Sequence, residues 1–132
     1  MNKTTIDLLI KKAIQARKNS HSPYSNFKVG AALLGKSGKI FVGTNVESSS
    51  YGLTVCAERN SIAAGIVRGE KKFSTLVIVS EDGVTPCGAC RQVIYDICGN
   101  IEVVLVNKKG KIVNTVTSKE LLPFAFSNNN LH

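Results

Sequence analysis

Leu76-Val77-Ile78-Val79 is an unbroken apolar run, and three of its four residues are β-branched. A strand with one wet face alternates apolar and polar residues, so a run without polar interruption is covered on both faces. This segment therefore predicts a central buried strand, and the chain around it supplies the covering layers. Ile6, Leu9, Ile10, Ala13 and Ile14 recur at helical spacing, with Thr4 or Thr5 as cap and Arg17 and Lys18 at the basic end. Ser20 to Asn26 reads as a loop. Phe27, Val29, Ala31 and Leu33 alternate as a strand, and Gly35 to Lys39 turns the chain into a second strand, Ile40 to Val46, giving an antiparallel hairpin.

After the polar segment Asn45 to Gly52, the positions of Ala57, Ile62, Ala63, Ile66 and Val67 suit a helix from Cys56 to near Gly69. Thr85-Pro86 breaks the chain before a second helix, Cys87 to about Cys98, which Gly99 ends. Ile101 to Val106 and Lys111 to Val116 flank a lysine-glycine turn. Ser118 to Leu122 forms a short helix stopped by Pro123. The order α-β-β-α-β-α-β-β-α predicts an α/β fold: a single three-layer α/β/α domain over residues 1–132 with a mixed sheet of about five strands. Residues 128–132 are expected to be a frayed tail.

Hydrophobic residues make up 43% of the 132 and charged residues 20%, which suits a globular core and excludes a disordered chain. No stretch of ~18 apolar residues provides a membrane span. The first residues lack the basic-then-apolar shape of a signal peptide, so a cytoplasmic protein is expected. The net charge of +8 invites a nucleic-acid reading. Its lysines are scattered, however, and the densest cluster, Lys108-Lys109-Gly110-Lys111, reads as a hairpin turn, so a solvated basic surface is expected and nucleic acid is not.

Four cysteines without an export signal favour metal or redox use over disulfides. Cys98 lies in the apolar run Val93 to Cys98 and reads as a small buried side chain. That leaves Cys56, Cys87 and Cys90, one ligand short of a closed tetrahedral zinc shell, with water in the open position of a hydrolytic metal. Both motifs, Cys56-Ala57-Glu58 and Pro86-Cys87-Gly88-Ala89-Cys90, fall at predicted helix starts, where free amides and the dipole favour thiolate. Three thiolates around a divalent ion still leave excess negative charge, which raises the pKa of a bound water. Arg59, through hydrogen bonds to sulfur, and Gln92, as a further donor, are candidates to offset it; a surface salt bridge is the plain alternative for Arg59. Glu58 can line the open side of the metal, take a proton from water and return it to a leaving group. Favourable charge in a first helical turn is the other reading of Glu58.

Cys56-Ala57-Glu58-Arg59 with Pro86-Cys87-Gly88-Ala89-Cys90-Arg91-Gln92 resembles the cytidine deaminase family, in its small homotetrameric zinc-dependent form. The likeness extends over nearly the whole chain, through Ser22-Pro23-Tyr24-Ser25, Phe27-Lys28-Val29-Gly30-Ala31-Ala32, Asn45-Val46-Glu47 and Leu121 to Ser127. The resemblance implies hydrolytic deamination of cytidine and deoxycytidine to uridine and deoxyuridine in pyrimidine salvage, with release of ammonia. It implies Zn²⁺ on Cys56, Cys87 and Cys90, and Glu58 as the group that delivers protons to N3 and to the departing amine. It implies Asn45 and Glu47 on the ribose 3′-hydroxyl, Phe27 stacked on the base, and the amide of Ala57 orienting the pyrimidine. Tyr51 and Phe126 match positions that complete a neighbour's site in a homotetramer, with ordinary packing as the competing reading. Phe27 would equally suit a core position, and Asn45 and Glu47 a merely solvated loop.

Two other functions remain open from the residues. A deaminase of the same fold could act on another aminated pyrimidine such as blasticidin S, although Glu47 suits a ribose hydroxyl. Alternatively, the cysteines could form a structural zinc knot or a redox pair on a nucleic-acid-binding surface, which for a closed site would need Cys98 as fourth ligand.

Overall fold

The computed structural model describes residues 2–131. In chain order it contains α1 (Lys3–Arg17), β1 (Gly30–Gly35), β2 (Ile40–Thr44), α2 (Ala57–Val67), β3 (Phe73–Val79), α3 (Gly88–Cys98), β4 (Glu102–Val106), β5 (Ile112–Thr117) and α4 (Ser118–Leu121). Turns of 3-10 helix add Tyr51–Leu53 and Asn128–Asn130. The five strands form one sheet in the order β2-β1-β3-β4-β5. β1 runs antiparallel to both β2 and β3, β3 pairs parallel with β4 through the α3 crossover, and β5 returns antiparallel. The mixed α/β sheet is the one the element order predicts.

Two separate packing layers explain the unbroken apolar run. Leu76 and Ile78 of β3 join Ala31, Leu33, Val103 and Leu105 in a core with Ile62 of α2 and Ile94 of α3. Val77 and Val79 point the other way and meet Ala32, Val104 and Val106 under Leu9, Ile10 and Ala13 of α1. Successive residues of a strand face opposite sides, so a strand with helices on both sides needs apolar residues at every position. Fully burying each such side chain stabilises the fold by about 1.5–3 kcal/mol relative to exposure.

Two glycines fix how closely the helices sit. Gly43 in β2 touches α2 backbone to backbone: a Cβ there would lie 2.5 Å from both Ala57 O and Ser61 N. Gly30 in β1 does the same for α1, where a Cβ would fall 2.0 Å from Ala13 O and 2.7 Å from Arg17 N.

Several boundaries differ from expectation. Neither Thr4 nor Thr5 caps α1; Asn2 does, its Oδ1 accepting from Thr5 N at 2.8 Å from an extended backbone. The first sheet strand starts at Gly30 and not at Phe27. Asn26 takes a left-handed conformation (φ 56°) that turns the chain, and Val29 N donates to the Asn45 side chain. β2 ends at Thr44, after which Val46 makes isolated bridges to His21 and Val55. β3 begins three residues before the apolar run, at Phe73. Residues 128–130 form a 3-10 turn: Ser127 caps it by accepting from Asn129 N, and Asn130 Oδ1 accepts from Ser127 N. His132, the end of the expected frayed segment, lies outside the described residues.

Candidate active site

Both cysteine motifs stand at helix starts. Cys56 is the N-cap of α2 and Cys87 that of α3, each with extended backbone and neither making a side-chain cap bond. Cys90 lies one turn into α3 and is buried. The first-turn amides of both helices are thus left to the sulfurs, along with the positive dipole ends. The three Sγ atoms lie within 4.8 Å of one another, with Cys56–Cys87 at 3.8 Å and Cys87–Cys90 at 3.4 Å. Tetrahedral zinc with bonds of ~2.3 Å places its sulfurs about 3.8 Å apart, so this donor set fits Zn²⁺ with one position open. Among the described residues these three form the only such cluster, and Cys98 is not part of it. Burial alone pushes the Cys98 thiol up to about 12, as suits a side chain packed against the core.

The three sulfurs and their neighbours form one electrostatic unit. The Cys90 hydrogen bond, with Arg59 helping, holds Cys56 below the usual thiol range, while the bond to Cys56 and burial push Cys90 above it. Arg59 Nη2 reaches Cys56 Sγ at 3.8 Å and Thr54 O at 3.5 Å. The ion pairs among the described residues both involve Glu81, with Arg17 and Lys108, so Arg59 serves sulfur and not a surface salt bridge. Glu58 is 4% exposed, and its Oε1 is buried without a hydrogen-bond partner. Burial, aided by the Cys56 thiolate, pushes its carboxyl up to about 7. A carboxyl so placed can hold or release a proton near neutral pH.

In front of this cluster opens a cavity of about 280 Å³, at the small end of the ~300–1,000 Å³ usual for ligand pockets. Cys56, Cys87 and Glu58 line it together with Phe27, Asn45 and Glu47. Phe27 is half exposed to this space and does not join the core. Asn45 is buried: its Oδ1 accepts from Ser20 Oγ and Val29 N, and its Nδ2 donates to Phe27 O at 2.6 Å. Glu47 Oε1 accepts from the amides of Tyr24 and Ser25, and Oε2 from the Ser25 hydroxyl. These bonds, the Ser25 hydroxyl foremost, hold Glu47 below the usual carboxylate range. Ala57, the first residue of α2, is fully buried and is not among the residues that line the cavity.

Three expected residues stand elsewhere. Gln92 does not reach a sulfur; its Nε2 donates to Phe126 O at 2.7 Å, because the returning C-terminal segment occupies that side of α3. Phe126 is 57% exposed and Tyr51 73% exposed, and neither lines the central cavity. Tyr51 instead packs edge-on against Tyr24, with ring centroids 5.7 Å apart.

The model of the cytidine and deoxycytidylate deaminase zinc-binding region matches residues 3–108. The chain belongs to the cytidine and deoxycytidylate deaminase family. It is 45% identical to the cytidine deaminase of Sporosarcina psychrophila, over 96% of this chain and 94% of that one. It is also 36% identical to the blasticidin-S deaminase of Bacillus cereus, over 76% of this chain and 78% of that one. The crystal structure of cytidine deaminase from Burkholderia pseudomallei superposes with a TM-score of 0.87 at 42% identity, covering 96% of this chain and all of that one. Membership makes the chain an enzyme, a hydrolase acting on C–N bonds, and the three-thiolate cluster fits the Zn²⁺ of this deaminase family.

Sequence reasoning gave no role to Arg91, which follows Cys90 directly. Its guanidinium donates to Pro86 O at 2.8 Å, Thr85 Oγ1 at 2.9 Å and Leu121 O at 3.2 Å. It thereby clamps the loop that presents Cys87 to the cavity of this deaminase. A charged residue directly after the second cysteine of the Cys87–Cys90 pair is the available signal.

Proposed function

We propose that this site deaminates cytidine and deoxycytidine to uridine and deoxyuridine, releasing ammonia, as a step of pyrimidine salvage. The observation that carries the reading is Glu58 Oε1, buried and unpartnered beside three converging thiolates. Cys56, Cys87 and Cys90 would hold Zn²⁺. Bound there, the ion supplies the Lewis acidity that makes a water nucleophilic at neutral pH.

Glu58 takes the proton of the attacking water, delivers it to N3 of the pyrimidine, and then carries a proton to the amino group as the C4–N bond breaks. Water and cytidine are consumed, and uridine and ammonia leave. Arg59 and the two helix starts spread the excess negative charge of the thiolates. Phe27 stacks on the base, the Ala57 amide orients it, and Asn45 and Glu47 hold the ribose 3′-hydroxyl. Supporting this, Glu47 and Phe27 face the same cavity as Glu58.

We further propose a single domain over residues 1–132 and a homotetramer in which Tyr51 and Phe126 complete a neighbouring subunit's pocket. Their exposure, with that of Leu53, Val67 and Phe124, supports an apolar surface covered by another copy. A reducing cytoplasm suits three free ligand thiols, and among the described residues no helix is long and apolar enough to cross a membrane.

The similarity to a blasticidin-S deaminase favours one second reading, the same chemistry on that aminated pyrimidine. Turnover of cytidine, deoxycytidine and blasticidin S by the zinc-loaded protein decides between them. Cytidine and deoxycytidine are expected to be deaminated, and absence of cytidine turnover would overturn the proposal.

A further inference from the structure

The loop from Ser22 to Phe27 joins two residues that line the pocket, Glu47 and Phe27, through one hydroxyl. Ser25 Oγ donates to Glu47 Oε2 and accepts from Phe27 N at 3.0 Å. The Ser25 amide adds a second bond to Glu47, at 3.2 Å to Oε1. Between Ser25 and Phe27 the chain passes through Asn26 at φ 56°, a conformation that few residues other than glycine, asparagine and aspartate adopt readily. Asn26 N donates to Ser22 O at 2.9 Å, closing the turn. On its other side, Phe27 is held at its carbonyl by Asn45 Nδ2. The aromatic wall and the carboxylate wall are therefore one hydrogen-bonded unit, although Phe27 and Glu47 lie 20 positions apart in the sequence.

We infer that Ser25 is a positioning residue that couples the sugar end of the pocket to its base end, fixing Glu47 and Phe27 through one hydroxyl. This rests on the ribose contact of Glu47 proposed above. Only a side chain that donates and accepts from a single atom meets both partners at that point, which serine and threonine do and alanine does not. Ser25 already fills one lone pair of Oε2, and two amides fill Oε1, so the remaining acceptor capacity of the carboxylate lies on Oε2 of a residue that lines the cavity. Ser25 is exposed and packs in no core, so its loss acts on this wiring and not on the fold.

The test is steady-state kinetics of zinc-loaded Ser25→Ala, Ser25→Thr, Glu47→Gln and the Ser25→Ala/Glu47→Gln double variant on cytidine and 3′-deoxycytidine. Losing a hydrogen bond to a charged group is expected to raise the cytidine KM of Ser25→Ala about tenfold, with kcat within about twofold of wild type. Ser25→Thr is expected to restore KM to within about twofold. The KM increase is expected to be several times smaller with 3′-deoxycytidine, and the double variant's KM increase less than the product of the two single-variant increases. If Glu47→Gln raises KM while Ser25→Ala does not, or if Thr fails to rescue, the coupling is overturned and the ribose contact stands. An equal KM increase on both nucleosides also overturns the coupling. If Glu47→Gln leaves KM unchanged, the ribose contact itself falls and the coupling with it.

Discussion

Replacing Gly43 with alanine tests whether sheet–helix spacing sets the geometry of the metal site. The added Cβ would lie 2.5 Å from Ala57 O and Ser61 N and 3.0 Å from Asn60 C, all backbone atoms of the first turns of α2. Carbon needs roughly 3.5 Å from such neighbours, so α2 must retreat by about 1 Å. The retreat carries Cys56 and Glu58 with it, while Cys87 and Cys90 stay on α3. Metal sites tolerate about 0.2 Å in ligand distance, and a 1 Å misplacement of reacting groups costs about 10²-fold in rate.

Overpacking of this kind costs about 1–3 kcal/mol, partly offset because alanine loses less chain entropy than glycine on folding. In a domain of this size that lowers Tm by about 3–15 °C. Gly30→Ala is the control, since it forces a backbone clash at least as severe on the opposite face, 2.0 Å from Ala13 O and 2.7 Å from Arg17 N of α1. The assay is zinc content and kcat per folded protein, measured well below each variant's Tm. Gly43→Ala is expected to lose zinc affinity and about 10²-fold in kcat, whereas Gly30→Ala loses stability but keeps both. Equal losses per folded molecule in the two variants would refute the reasoning.

Replacing Cys87 with serine is expected to release zinc and lower thermal stability together, because metal binding and folding are coupled at such sites; a fully metallated, equally stable variant would contradict the ligand assignment. Cys98→Ser is expected to leave zinc content and turnover unchanged, and zinc loss would show a closed four-cysteine shell instead. The same thiol gives a pH test. Its folded-state pKa is raised from 9.0 to about 12, so the folded form keeps a proton that the unfolded chain releases, and stability falls as pH rises from about 9 to about 12. Wild type is expected to show that alkaline decline more steeply than Cys98→Ser in denaturant titrations, and identical slopes would remove burial of Cys98 as its cause.

What was legible in the sequence was whatever follows a local period or a short motif. Leu76 to Val79 declared a strand covered on both faces, and the two packing layers are why. The helix-start positions of Cys56 and Cys87 are readable because the polar segment Asn45 to Gly52 and the break at Thr85-Pro86 precede them. Hydrogen bonds between distant loops left no such trace. The bond of Gln92 to Phe126, the grip of Arg91 on Pro86 and Leu121, and the Ser25–Glu47 link each join residues that no periodicity relates. Likewise Phe27, Val29, Ala31 and Leu33 alternate as one strand would, yet the left-handed turn at Asn26 and the Asn45 side chain hold Phe27 out of the sheet, facing the cavity.

The central claim is that an open three-thiolate zinc site works through Glu58. Zinc per chain measured beside ammonia release from cytidine, for wild type and Glu58→Ala, tests it most directly. One zinc per chain is expected in both, with normal release by wild type and a fall of about 10²–10⁴-fold or more in the variant. Turnover by Glu58→Ala within tenfold of wild type, or full turnover by wild type stripped of zinc, would contradict the account.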